Sequence, residues 1–185
     1  MTAMSSPNIV FVLADDLGWA ELNCYGNTFN ETPHLDRMAG EGVRFTHGYA
    51  AAPVCSPYRA SLMTGQWPAR VGITDFLRPE DVHCLDPSHV TLAKQLRRHG
   101  YTTGIVGKWH LSPYHANGCL EIAPCEHGFH ETILSERSFI GPSVYKYPYH
   151  WDPTVEQRLR PDEWLIERMN LEALDFIERH RKGPF

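Results

Sequence analysis

Residues 8–16 read NIVFVLADD, a nearly unbroken apolar run followed by two adjacent carboxylates. Such a run, rich in β-branched residues, suits a strand covered on both faces, as strands of α/β sheets are. In those sheets ligands gather beyond the carboxyl ends of the strands, which is where Asp15 and Asp16 stand. Their oxygens match what a hard divalent cation such as calcium or magnesium requires. Neighbours on a strand point to opposite faces, so both reach one ion only if the chain is already turning. Leu17-Gly18 permits that turn. The pair serves equally well as solvated loop acids or a helix cap.

Working outward, Thr32-Pro33 opens a short helix through Leu35, Met38 and Ala39 that stops near Gly40 and Gly42. Residues 43–49 follow as an extended segment. The next helix runs from Cys55 to about Met63 and ends at Thr64-Gly65. Residues 88–99 form an amphipathic helix through Val90, Leu92, Ala93 and Leu96, with Gly100 as a left-handed stop. Residues 101–107 are the second strand, leading into Lys108-Trp109-His110, and residues 113–160 read as irregular. A last helix starts near Pro161-Asp162-Glu163, carries Ile166, Met169, Ala173 and Ile177 at helical spacing, and ends at Lys182-Gly183. This order predicts an open α/β sheet flanked by helices. The sheet looks unfinished, because the chain stops just past a helix.

Residues 52–65, APVCSPYRASLMTG, place Arg59 one helical turn beyond Cys55. A helix N-terminus offers unpaired N–H groups and a partial positive charge, which suits a nucleophile handling an anion. Pro57 fits there because the first turn does not need its missing N–H. A buried cysteine at an ordinary helix start accounts for the stretch equally well. A cysteine-phosphatase loop is excluded, since its Arg lies six positions after the Cys and here it lies four. At the second strand end, Lys108 and His110 are spaced to project to one side of an extended backbone. They offer a point charge for an anion and a proton carrier, and read equally plainly as a surface Lys and His at a strand exit.

Composition narrows the classes. The net charge of −5, with no basic tract beyond Arg97-Arg98, argues against nucleic acid as a partner. No apolar run is long enough to cross a membrane. The N-terminus MTAMSSPN lacks the basic-then-apolar pattern of a leader, so the chain as given reads as cytoplasmic. Five cysteines (Cys24, Cys55, Cys84, Cys119, Cys125) at irregular spacing make no disulfide framework. Cys119, Cys125 and His127 do not have a structural-zinc spacing and read as loop residues.

Cys55-x-Pro57-x-Arg59 followed by ASLMTG resembles the signature of the sulfatase family, in which this cysteine becomes formylglycine. The resemblance extends in order through NIVFVLADDLGW, TPHLDRMAGEGVRF (32–45), TGQWPARVGI and GYTTGIVGKWHL (100–111). It implies an alkaline-phosphatase-like α/β fold, a mixed sheet between helices, and a sulfuric ester hydrolase. It implies that Asp15, Asp16 and modified Cys55 bind calcium, sometimes magnesium. Arg59 would hold the formylglycine, Lys108 would bind the sulfate, and His110 would hydrogen-bond the formylglycine hydroxyls. An aldehyde hydrates to a diol; one hydroxyl attacks sulfur, and deprotonation of the other expels sulfate as the aldehyde re-forms. A serine would lack that exit. The partners implied are a sulfate-ester substrate and a formylglycine-generating maturation enzyme.

The family also carries an Asp-Asn or Asp-His metal pair, a further His and a further Lys downstream, and neither pair occurs in these 185 residues. Residues 1–185 therefore read as the N-terminal part of a sulfatase catalytic domain, one strand short and without its C-terminal subdomain, and alone as inactive. The alternatives are a formylglycine-dependent phosphodiesterase or phosphonate monoester hydrolase, and a non-catalytic truncated chain. The aromatic stretch at residues 145–151 lines a sugar or aryl site or, as clustered aromatics more often do, simply packs.

Overall fold

A computed structural model describes residues 6–78, 81–112, 123–134, 145–147, 149 and 156–185. The chain divides into two compact units, one of Phe11–Ala50 and one of Met1–Val10 with Ala51–Phe185. The first holds two 3-10 turns, Trp19–Glu21 and Asn23–Tyr25, and helix α1, Pro33–Glu41. The second holds α2 (Cys55–Thr64), α3 (Pro68–Val71), α4 (Leu92–Arg98), β1 (Gly104–Val106), a 3-10 turn (Pro124–His127), β2 (Glu131–Ile133) and α5 (Leu165–His180).

The larger unit is built on a parallel pair in which Gly104, Ile105 and Val106 face Glu131, Thr132 and Ile133. A parallel pair cannot be joined by a tight turn, and residues 107–130 separate the two strands along the sequence. β2 lies inside the stretch expected to be irregular. Its sequence, ETI, is too short and too polar to announce a strand, and it forms because β1 offers an edge. The core of this unit joins Ala60 of α2, Ala93 of α4, Ile73, Leu77 and Leu85 from the loops, and Trp109, Leu111 and Phe129. Position 104 must be glycine for a steric reason: a Cβ there would lie 2.5 Å from the ring of Phe176 on α5.

The expected strand at residues 8–14 is not formed among the described residues. Ile9 N–H donates to the Phe185 carbonyl (2.8 Å), and Phe185 N–H donates to Asn8 Oδ1 (3.3 Å). No ladder follows, and Val12 is 81% exposed. Apolar content expresses a preference for burial, but a strand exists only where a neighbour takes up its backbone groups. Residues 43–49 likewise form no strand, because a turn at Thr46-His47 interrupts them.

Two helices start later than expected. The Thr91 hydroxyl accepts from Lys94 N–H (3.1 Å), so α4 begins at Leu92 rather than at Ser88. At its other end Gly100 (φ +82°) donates to Arg97 and Tyr101 donates to Leu96. That closure occupies residues 99–101 and delays β1 to Gly104. α5 begins at Leu165, after a turn at Pro161-Asp162, and ends at His180. Its buried face carries Leu165, Arg168 and Phe176, while Ile166 is 60% exposed, contrary to the expected stripe. The register is fixed by Arg168, which donates to Glu163 (3.0 Å) and Glu172 (2.7 Å). Buried Glu163 also accepts from Tyr149 Oη and the amides of Arg158 and Leu159. These bonds hold its carboxyl below the usual range although burial pushes the other way. Tyr149 is buried and meets Tyr147 edge-on, so these two aromatics pack. Pro148, His150 and Trp151 of the same stretch lie outside the described residues.

Candidate active site

The site is built on the start of α2 and the exit of β1. Val54 is extended and α2 begins at Cys55, so Pro57 falls in the first turn and Tyr58 N–H closes the first bond onto Val54 (3.1 Å). Cys55 is half-buried, while Ser56, Pro57 and Arg59 are buried. Gly65 ends the helix.

The exit of β1 does not run on as an extended chain. Gly107 has φ +92° and His110 φ +55°, so the backbone bends twice and the alternation expected of Lys108 and His110 is lost. Gly107 still donates to Ile133 (2.9 Å), which anchors the first bend to β2. Between the bends the Trp109 indole is buried against the rings of His127 (5.1 Å between centroids) and Phe129 (6.1 Å, edge-on). Lys108 is half-buried and His110 almost fully buried.

Three contacts tie this exit to α2. Arg59 Nη1 donates to the Lys108 carbonyl at 2.6 Å. Ser56 Oγ accepts from Leu77 N–H at 3.0 Å, and His110 Nε2 meets the Leu77 carbonyl at 2.9 Å. Arg59, Lys108 and His110 are thus braced against the first turns of α2, the helix that Cys55 begins. Ser56 and Leu77 were not among the expected site residues. A leucine that works through its peptide bond leaves no signal in a sequence.

Asp15 and Asp16 belong to the smaller unit and are exposed. The required turn is present but falls on Asp16 itself (φ +58°), one residue before Leu17-Gly18. It brings a carboxylate oxygen of each within 4.8 Å of the other. Two exposed carboxylates on one side of a turn fit a hard divalent cation.

His127, in the turn Pro124–His127, is fully buried, and among the described residues no hydrogen bond reaches either ring nitrogen. Burial, and then the charge of Lys94, pull its pKa down to about 4. Cys125 is exposed, and Cys119 lies outside the described residues. Among the described residues no helix is long and apolar enough to cross a membrane.

The family model Sulfatase matches residues 7–185. Steryl-sulfatase of Rattus norvegicus is 50% identical over 111 residues, 57% of this chain and 19% of its own length. N-acetylgalactosamine-6-sulfatase of Homo sapiens is 38% identical over 205 residues, 99% of this chain and 38% of its own. A solved structure from work on glycosaminoglycan metabolism by Bacteroides thetaiotaomicron (BT33336S-sulf) superposes with a TM-score of 0.76 at 28% identity. It covers 98% of this chain and 50% of that one. The chain thus spans well under half the length of both curated relatives. The fold is the alkaline-phosphatase-like α/β arrangement of these neighbours. With a family match running from residue 7 to the last residue, the chain belongs to the sulfatase family.

Proposed function

We propose that residues 1–185 supply the N-terminal part of the catalytic domain of a sulfuric ester hydrolase, with Cys55, converted to formylglycine by a maturation enzyme, as its nucleophile. The observation that carries this reading is the 2.6 Å bond from Arg59 to the Lys108 carbonyl, in a chain matching the sulfatase family. It fixes the helix that bears residue 55 to the segment that bears a cation and a histidine.

In this reading Lys108 binds the sulfate group through its charge, and His110 hydrogen-bonds the hydroxyls carried by residue 55. Arg59 holds residue 55 at the helix start. Asp15 and Asp16, with residue 55, hold a divalent cation, calcium or magnesium. That ion would supply positive charge to the sulfate oxygens and favour ionisation of a hydroxyl on residue 55.

The test is hydrolysis of a synthetic aryl sulfate by the complete protein made with a maturation enzyme. Mass spectrometry of the peptide holding residues 55–59 should show an aldehyde in place of the thiol. Cys55→Ala should reduce turnover to background. Full activity with residue 55 still a thiol, or a strong preference for phosphodiesters or phosphonates over sulfates, would overturn the reading.

A further inference from the structure

We infer that Ser56 is a positioning residue for His110, acting through the Leu77 peptide; this deepens the hydrolase reading and rests on it for the role of His110. Three separate segments meet here, and all three residues are buried: Ser56 is 0% exposed, Leu77 4% and His110 2%. Leu77 N–H donates to Ser56 Oγ (3.0 Å), and the carbonyl of the same residue faces His110 Nε2 (2.9 Å). A carbonyl oxygen only accepts, so Nε2 carries a hydrogen. In the neutral ring Nδ1 is then the acceptor, and the ring can turn only by breaking a buried bond.

The placement of the Leu77 peptide thus decides both the orientation and the tautomer of His110. What fixes that peptide from the other side is the Ser56 hydroxyl on the first turn of α2. The residue beside the nucleophile therefore sets the direction in which the histidine presents its two nitrogens. His110 also stands in a left-handed conformation (φ +55°) that a non-glycine residue adopts only when its surroundings hold it there.

The test compares Ser56→Ala with Ser56→Thr, which keeps a hydroxyl. Nitrogen-15 NMR of the His110 ring at a fixed neutral pH reads the tautomer directly, in this chain and without any turnover. The alanine variant should lose the pure Nε2–H signature, and the threonine variant should keep it. In the complete protein, with mass spectrometry showing residue 55 equally converted in each variant, Ser56→Ala should lower kcat by roughly 10- to 100-fold, as removal of an orienting partner typically does. KM should stay within about twofold, because the sulfate-binding Lys108 is untouched. Should the alanine variant fail to fold, Ser56→Cys, a weaker acceptor of similar size, is read in the same way. An unchanged His110 spectrum, or a kcat loss that threonine does not restore, overturns the inference. A shifted tautomer in a protein whose wild type cleaves no sulfate ester would leave the positioning role standing and remove the hydrolase reading.

Discussion

The exit of β1 and the acidic turn at residues 15–16 each place polar groups after an apolar run, yet they are held in opposite ways. At the exit, Lys108 has its carbonyl clamped by Arg59, Trp109 is wedged between two rings, and His110 is bonded to Leu77. At the turn, both carboxylates are exposed and lie close together on a left-handed bend. Groups that meet a developing anion gain from being fixed in advance by the protein, away from water. Carboxylates that meet a cation repel one another until it arrives, so rigidity there would store a penalty. The contrast predicts that substitutions at the exit act mainly on rate, and those at the turn mainly on metal affinity.

The largest effect should come from the exit. In the complete protein, Lys108→Ala removes the cation proposed to bind the sulfate and should lower kcat/KM by roughly 10²- to 10³-fold. The Arg59 bond should survive, because it is made to the backbone carbonyl of residue 108, and circular dichroism checks that the fold is kept. A wild-type rate in this variant would break the contrast from one side. From the other side, Asp16→Asn should weaken calcium binding by roughly 10- to 100-fold, measured calorimetrically. Its thermal midpoint without metal should match the wild type, since the side chain is exposed. A large loss of stability with no change in calcium affinity would show that the turn is a structural element.

The packing behind the exit should reveal itself through pH. His127 has its pKa lowered from 6.5 to about 4, so the folded state resists a proton that the unfolded chain accepts. Stability is therefore full above pH 6.5 and falls as the pH drops towards 4, by up to about 3 kcal/mol. His127→Phe keeps a ring against Trp109 and should flatten that decline in denaturant titrations run at several pH values. An equally steep decline in the variant would assign it to carboxylates instead.

The smallest effect is expected where β2 meets the end of α5. Glu131 accepts from Arg179 (2.6 Å) and meets His180 (2.6 Å), and the Arg179 bond does most to hold its carboxyl down at about 2. Its contribution is present above the ordinary value of 4.5 and is lost as the pH falls through about 2. The pair is partly exposed, so Glu131→Gln should cost only about 1 kcal/mol at neutral pH. A cost several times larger would mean that this edge, and not the Trp109 cluster, carries the sheet.

How much of this was legible depended on whether a feature is local. The bounds of α2 were readable because Pro57 and Gly65 have position-specific roles at a helix start and stop. Gly100 announced the end of α4 in the same way. The Thr91 cap was missed: the apolar pattern begins before it, and the hydroxyl overrides the pattern. The run at residues 8–14 states a preference for burial without naming a partner, so the strand expected there was not found. The bend at His110 was hidden because histidine rarely takes a left-handed conformation. Ser56 and Leu77 stayed invisible because their bond joins residues 21 positions apart through a main-chain group. Likewise, β2 depended on an edge supplied by a distant segment.

The approach of Phe176 to Gly104 limits how this protein can diversify. Any side chain at position 104 would strike an aromatic ring, so α5 would have to lift away from β1. That strand leads straight into Lys108 and His110, so drift at position 104 would reach these two proposed site residues within a few positions. A library aimed at new substrates should leave Gly104 and Phe176 invariant and place its diversity in exposed loop positions such as Trp67 and Val82. Lineages that altered the pair together, trading ring for side chain, would be the informative exceptions.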